Sequence, residues 1–358
     1  MKQTENLIVG LGIAGLNLCH QLEKAGKSFL VIDRCPENSS SLIAGGIYNP
    51  VALKRKLRSW RVDELFPTLI TAYSEIDALL GVSTLQHPFP ILKPIVSDDD
   101  LNEWKTAVKD ERLVPYVNAV EESVPKGPFN QDVKASVTIE NAGFVRISKL
   151  IASYQNYLNQ KGLLLQDEFY HHNINILDDG IEYQGIQADR IIFAEGRFAS
   201  QNPYFSWLPM RATKGQMLTV RLPESVTPDR IYNQQFLLFP LEEKGLFRLG
   251  ATYEWGQLDE TPTEEATQEL LTKVKKTLDV EIEVLDAQAA VRPTVIDRRP
   301  IIGQHPDHRP IWIFNGLGTK GIMLAPYFAK QLVEHIYEGA AIDPEVSLKR
   351  FGKHYANS

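Results

Sequence analysis

The chain has 358 residues, 43% of them hydrophobic and 23% charged, with a formal net charge of −7. That length suits two domains rather than one small core. No apolar run approaches the roughly 20 residues of a membrane span. The negative charge argues against a broad nucleic-acid surface. Two cysteines make no disulfide framework, so a reducing cytoplasm is the expected location. The start "MKQTEN" lacks the charged and apolar regions of a signal peptide, and none is expected.

In chain order, "ENLIVG" is an apolar run ending in glycine, "AGLNLCHQLEKAG" has helical spacing, and "SFLVID" is a second apolar run closing at Asp33. A polar, glycine-containing stretch follows, then a helix over 61–80 with Leu65, Leu69, Ala72, Ile76 and Leu79 on one face. A helix is expected near 98–109 and a long surface loop over 121–132. "ISKLIASYQNYLNQKG" is helical with Gly162 as its stop. "LLLQDEF" and "ADRIIFAEG" are strand-like. "KGQMLTVRL", "QFLLFPL" and "LFRLGATY" alternate like antiparallel strands. A helix over 263–278, the strand "RPIWIFNG" and a last amphipathic helix from "GIMLAP" complete the chain. The fold class is therefore α/β and α+β. A Rossmann-like βαβ domain with a mainly parallel sheet is expected over 1–82, 143–204 and 288–358. An antiparallel-sheet substrate domain is expected over 83–142 and 205–287.

Five segments carry chemistry. In "LIVGLGIAGL", Gly10, Gly12 and Gly15 have the G-x-G-x-x-G spacing between strand and helix, and Asp33 follows Gly15 by 18 positions. Gly10 permits the tight turn, Gly12 the approach of a pyrophosphate and Gly15 close helix–strand packing, while the carboxylate suits ribose hydroxyls. "SSLIAGGIYNP" holds the pair Gly45–Gly46, which is either a close approach to a ligand or a flexible loop. "ADRIIFAEGRFAS" ends a strand at Ala194 and turns through Glu195 and Gly196. Such a turn faces the ligand crevice, or is a plain exit from a strand. Arg292 in "AAVRPTVIDRRPIIG" sits in an apolar strand before proline. A guanidinium there pairs either with a substrate carboxylate or with an internal Asp or Glu. "NGLGTKGIMLAP" passes through Gly316, Gly318, Thr319, Lys320 and Gly321 into a helix. That helix start either faces the pyrimidine side of a flavin, with Lys320 beside it, or is an ordinary start with a solvated lysine.

Taken together, in order, these blocks resemble the D-amino-acid oxidase-like family of FAD-dependent oxidoreductases, over nearly the whole chain. Within it they are most similar to glycine oxidases and to the oxidase half of the bifunctional tRNA 5-methylaminomethyl-2-thiouridine biosynthesis protein. "GFVRISKLIASYQNYLNQKG", "PMRATKGQML" and "FPLEEKGLFRLGATYE" fill the remaining family blocks, with Lys214 where arginine is usual. The resemblance implies FAD, held by Gly10, Gly12, Ile13, Ala14, Gly15, Asp33, Arg34, Ala44, Gly45, Gly46, Phe169, Ala194, Glu195, Gly196, Arg292, Gly316, Gly318, Thr319, Lys320 and Gly321. It implies Arg292, Tyr253 and Lys320 as the residues of catalysis, with Arg292 on the substrate carboxylate. Leu237 and Thr319 depart from the tyrosine and arginine of glycine oxidases. Cys19 and Cys35 lie in the first βαβ unit, away from the last blocks that anchor flavin covalently in sarcosine oxidases, so non-covalent FAD is expected.

The expected reaction is oxidation of the C–N bond of an amino acid or secondary amine, glycine-, sarcosine- or D-amino-acid-like. Hydride passes to the flavin, the imine is hydrolysed, and dioxygen or another acceptor takes the electrons. Two other readings are a tRNA-modifying oxidase acting on carboxymethylaminomethyl-uridine and an FAD-dependent 2-hydroxy-acid dehydrogenase. The basic segment "LKRKLRSWR" keeps tRNA as a lesser partner, with Trp60 available for stacking; otherwise it is a solvated surface segment with contacts to the FAD pyrophosphate. The pairs His171–His172 and His305–His308 lack accompanying ligands and are read as loop residues, with no metal expected.

Overall fold

The computed structural model describes residues 2–117, 119–256 and 258–356. The first sheet grows from the glycine-rich end of the chain. Lys2–Val9 pairs in parallel with Phe29–Ile32 on one side and with Ile186–Phe193 on the other. Leu164–Leu165 extends it past Phe29–Ile32, again in parallel. The far end of Ile186–Phe193 pairs in parallel with Ile311–Asn315, and its near end pairs antiparallel with Gly180–Tyr183. Central strands covered on both faces must be apolar throughout. Leu7, Ile8, Val31, Ile191, Ile192, Ile311 and Ile313 are accordingly inaccessible to solvent.

Helices Ile13–Lys24, Val62–Leu80, Ile147–Gln160 and Gly321–Glu338 share one core on one face of this sheet. Polar contacts pin their starts. The Asn17 amide donates to the Ile13 carbonyl at 2.9 Å, and the Tyr73 hydroxyl donates to the Ile322 carbonyl at 3.1 Å. Cys19 is buried in this core, as its place on the helix implied. Leu79, expected on the apolar face, is exposed, because the helix runs out past the core before Gly81 ends it in left-handed backbone. Phe66 and Tyr73 fill the face instead.

The second sheet contains Glu283–Arg292, Thr213–Arg221, Leu246–Gly250, Leu237–Pro240, Ile231–Asn233, Ile91–Ile95, Ala135–Ile139 and Val120–Glu121, in that order. Its pairings are antiparallel except that Ile231–Asn233 runs parallel to Ile91–Ile95. Helix Glu264–Lys275 lays Leu270 and Val274 against Leu218, Val220 and Leu249. Residue 288, the expected unit boundary, falls inside Glu283–Arg292, which belongs whole to this sheet. Nine consecutive rungs from Thr213↔Arg292 to Arg221↔Glu283, with one bulge, keep that strand in a single sheet. We propose that the boundary lies after Arg292.

Candidate functional site

One cleft of about 1550 Å³ is lined by the carboxyl end of the first sheet and by one face of the second. That exceeds the usual several hundred Å³ of a single small-ligand pocket and leaves room for a dinucleotide with a further molecule beside it.

At one end lies the glycine turn. Gly10 has φ +100°, and a Cβ there would stand 2.6 Å from the Ala194 carbonyl oxygen. The following helix presents its free N–H groups and positive dipole end to the cleft. The Asp33 carboxylate ties this turn together. Its Oδ2 accepts from the Leu11 N–H at 2.6 Å and its Oδ1 from the Cys35 N–H at 2.5 Å. Each carboxylate oxygen keeps a second lone pair for a ribose hydroxyl. Ser41 reaches in from the second loop and accepts from the Ile13 N–H at 3.0 Å. Its neighbours Ala44, Gly45 and Gly46 line the cleft, with Gly45 against the Phe239 ring.

The strand ending at Ala194 brings Glu195 and Gly196 to the same cleft. Glu195 Oε1 lies 2.8 Å from His171 Nε2, and its Oε2 accepts from the Asn202 amide at 2.7 Å. Phe169 lines the wall, stacked on Tyr183 with centroids 4.4 Å apart. Arg34 lies over the Phe198 ring, 4.6 Å from its centroid. His171 was read as a plain loop residue. It is a wall residue instead, because the fold folds 171 back against 195.

The loop Gly316–Lys320 wraps round Pro293, whose carbonyl accepts from the Gly318 N–H at 3.2 Å, and leads to Gly321, which packs against Ile13 of the first helix. Lys320 precedes the helix Gly321–Glu338, whose first N–H groups face the cleft with it. The Lys320 ammonium is open to the cavity yet ringed by protein. Burial, and then Arg299 and Arg55, push its pKa down.

Arg292 lies where the two sheets meet. Its Nη1 donates to the carbonyls of Lys214 and Thr252, and its Nη2 to that of Thr252, all at 3.3 Å. Its Cζ sits 4.5 Å from the Tyr253 ring centroid. Gly215 lies directly under the guanidinium, where any side chain would collide with it. Burial pulls the Arg292 pKa below the usual guanidinium range. No carboxylate of the described residues forms an ion pair with it, so the internal-partner reading fails. The cation faces a cleft lined by Met217, Leu237, Ala251 and Trp255.

Every expected site residue lines this cleft except Gly15. A Cβ on Gly15 would collide with the Gly10 carbonyl, so this glycine serves helix–turn packing rather than ligand contact. Sequence reasoning missed Ser41, His171 and Arg299. The first two carry no spacing signal, and the third lies in a basic run that looks like surface. Arg55 belongs to the basic segment that the sequence did mark.

The basic segment 54–61 is largely neutralised. Lys56 pairs with Asp100 at 2.9 Å and Glu103 at 2.5 Å, Arg58 with Asp63, and Arg61 with Asp343. Trp60 stacks on Phe328 at 5.8 Å, and Arg299 covers it with Cζ 4.0 Å from its centroid. The indole is therefore not free for a base. His305 and His308 lie against each other with tilted rings, centroids 4.8 Å apart, beside Tyr204. Among the described residues no group of three His, Cys, Asp or Glu could hold a metal ion.

The chain matches the DAO family, described as FAD dependent oxidoreductase, over residues 6–335. The chain belongs to the DAO family. It is 25% identical to a glycine oxidase of Pseudomonas aeruginosa, over 92% of this chain and 93% of that protein. It is 21% identical to a tRNA 5-methylaminomethyl-2-thiouridine biosynthesis bifunctional protein of Marinobacter nauticus, over 94% of this chain and 56% of that one. An iminodiacetate oxidase structure from Chelativorans sp. BNC1 superposes with a TM-score of 0.78 at 22% identity, covering 97% of this chain and 98% of that one. This DAO enzyme uses FAD, and its cleft fits that group. A glycine cradle and helix start suit the ADP end, and a second helix start with Lys320 suits the ring end. No helix is long and apolar enough to cross a membrane among the described residues.

Proposed function

We propose that this enzyme oxidises the C–N bond of a small amine that carries a carboxylate, an amino acid or a secondary amine of glycine or sarcosine type. The observation that carries the reading is Arg292, a partly buried guanidinium facing the cleft with only backbone carbonyls as hydrogen-bond partners. A desolvated cation held by three long bonds has a strong claim on an incoming carboxylate, which it can take bidentately. FAD, when bound, supplies a two-electron acceptor.

This chain's own residues orient the substrate. Arg292 would hold the carboxylate, and Tyr253 would keep the guanidinium plane in place by a cation–π contact. Lys320 and the adjoining helix start would favour negative charge developing at the ring end of the cleft. The apolar wall of Met217, Leu237 and Ala251 would keep the amine neutral and the site dry. The substrate leaves as an imine, which water hydrolyses to an oxo acid and an amine or ammonia. On this reading Arg292 and Tyr253 would contact the substrate, and the glycine and Asp33 segments would hold FAD.

The relatives' names, glycine oxidase and iminodiacetate oxidase, support the amine reading. The paired and covered state of Lys56, Arg58, Arg61 and Trp60 weighs against tRNA. A panel of glycine, sarcosine, proline, D-amino acids and 2-hydroxy acids, mixed anaerobically with the flavin-loaded enzyme, tests the proposal. Bleaching of the flavin by an amine carboxylate is expected. Bleaching by hydroxy acids alone, or by none of the panel, would overturn it.

A further inference from the structure

Arg292 and Tyr253 account for one stretch of the loop that follows Gly250, and the next ring of that loop has no role yet. Arg292 donates to the Thr252 carbonyl and covers the Tyr253 ring. The backbone at Glu254 then pairs with Lys214 in both directions, at 3.0 Å each way. Side chains alternate across a paired extended stretch. Glu254 accordingly turns to the buried Lys214, 3.9 Å away, while Tyr253 and Trp255 both line the cleft. Trp255 thus stands on the substrate side of the loop, two residues along from the ring that stacks on Arg292.

Trp255 repeats the arrangement of Tyr253. Arg211 lies over its ring, with Cζ 4.9 Å from the centroid. The Arg211 N–H donates to the Thr294 carbonyl at 2.6 Å, which ties this second stack to the segment just after Arg292. The two guanidiniums differ in place. Arg292 lines the cleft, whereas Arg211 is exposed and does not line it. The indole therefore has its cation behind it and the cleft before it.

Both rings are left open, Tyr253 at 58% exposure and Trp255 at 53%. Aromatic area left open inside a concavity is area that a ligand can cover. Charge settles the kind of ligand group. A ring with a guanidinium on one face has little attraction left for a second cation. Its open face suits a flat, neutral, apolar ring. The cleft wall of Met217, Leu237 and Ala251 is apolar in the same sense. Glycine and sarcosine carry no group that could cover the indole.

We propose that Trp255, backed by Arg211, is a specificity-determining residue that stacks on a flat apolar ring of the substrate. The substrate class is an amine carboxylate with an aryl substituent, carried on nitrogen or on the α-carbon. This rests on the amine-carboxylate reading above and narrows it. Arg211 is a positioning residue, since it acts through the indole.

The test measures half-saturation of anaerobic flavin bleaching with the flavin-loaded full chain, in two arms. One arm compares N-benzylglycine with sarcosine, and the other compares phenylalanine with alanine, each as both enantiomers. The native enzyme is expected to prefer the aryl probe about three- to tenfold in at least one arm, the worth of one aromatic stack. The arm that responds tells which atom carries the ring. Trp255→Ala should abolish most of that preference, Trp255→Phe should keep most of it, and Arg211→Met should lower it. Native flavin content is expected in all three variants. No aryl preference in either arm would overturn the proposal, as would a preference left intact in Trp255→Ala. Loss of flavin from Trp255→Ala and Trp255→Phe alike would overturn it by making the indole a cofactor contact. Failure of every amine probe to bleach a yellow enzyme would instead remove the amine reading beneath it.

Discussion

The Arg292 guanidinium stacks on the Tyr253 ring, Cζ to centroid 4.5 Å, while Gly215 leaves room beneath it. The strand Glu283–Arg292 supplies the cation, the neighbouring strand Thr213–Arg221 supplies the gap, and the turn after Gly250 supplies the ring. Arg292→Lys should lose the bidentate fork, and kcat/KM for an amine carboxylate should fall about a hundredfold or more, as for truncation of a buried charge partner. Tyr253→Phe should cost little and Tyr253→Ala about fivefold, through loss of the cation–π contact. Steady-state kinetics with the best amine of the panel measures both.

Gly215→Ala should act through Arg292. The added Cβ would collide with the guanidinium, which must move. Substrate affinity should drop while flavin content stays at the native level, because Gly215 lies at the substrate end. Flavin absorbance per protein, read beside KM, separates the two effects.

Asp33 holds the glycine turn through Leu11 and Cys35. Asp33→Ala removes both acceptors and leaves two backbone N–H groups short of partners. About 1–3 kcal/mol of cofactor and turn stability should be lost. Purified Asp33→Ala protein should carry a minority of the native flavin content, with a lower unfolding midpoint when FAD is not added back. The cofactor is expected to be non-covalent, so acid precipitation of the native protein should leave the yellow colour in the supernatant.

Lys214 is fully buried, and its ammonium meets Asp259 at 2.7 Å and Glu254 at 3.9 Å. Both partners lie in the loop that carries Tyr253 and Trp255. Gln216, two residues on, bonds the far end of that loop through Thr263 in both directions, at 2.8 and 3.1 Å. One strand thus pins both ends of a loop over the substrate end. Lys214→Met should destabilise the protein by about 1–3 kcal/mol, less than a fully buried pair because the carboxylates are partly solvated. It should raise KM more than it lowers kcat.

Burial lowers the pKa values of His20, His87 and His305 in the folded state. An unfolded histidine titrates near 6.5. As pH falls below that value the unfolded chain takes up protons that the folded chain refuses, so stability falls with falling pH. The loss begins below about pH 6.5, above the range in which carboxylates protonate. His305 has Nδ1 engaged by the Asp307 and His308 N–H groups at 3.2 Å, which favours the neutral ring. Thermal unfolding midpoints between pH 7.5 and 5 should decline, and more shallowly in a His305→Gln variant.

The stretch from the first strand to Asp33 was legible because its logic is local. Strand, glycine turn, helix and acid follow within 32 residues, and the bond from the Leu11 N–H to Asp33 that closes the turn lies inside that stretch. The helices with long apolar stripes and the alternating strands were legible for the same reason, since periodicity along a chain is set by backbone geometry. The sequence also marked Arg292 as unusual, but left two partners open. Only the tertiary structure decided that its internal partners are carbonyls and an aromatic ring, because those come from residues 39 to 78 positions away. The same holds for His171 on Glu195, and for the cancellation of Arg61 by Asp343. Whether a charge is paired, and whether a strand belongs to one sheet or the next, depends on which distant segments meet. Composition and spacing carry no record of that meeting.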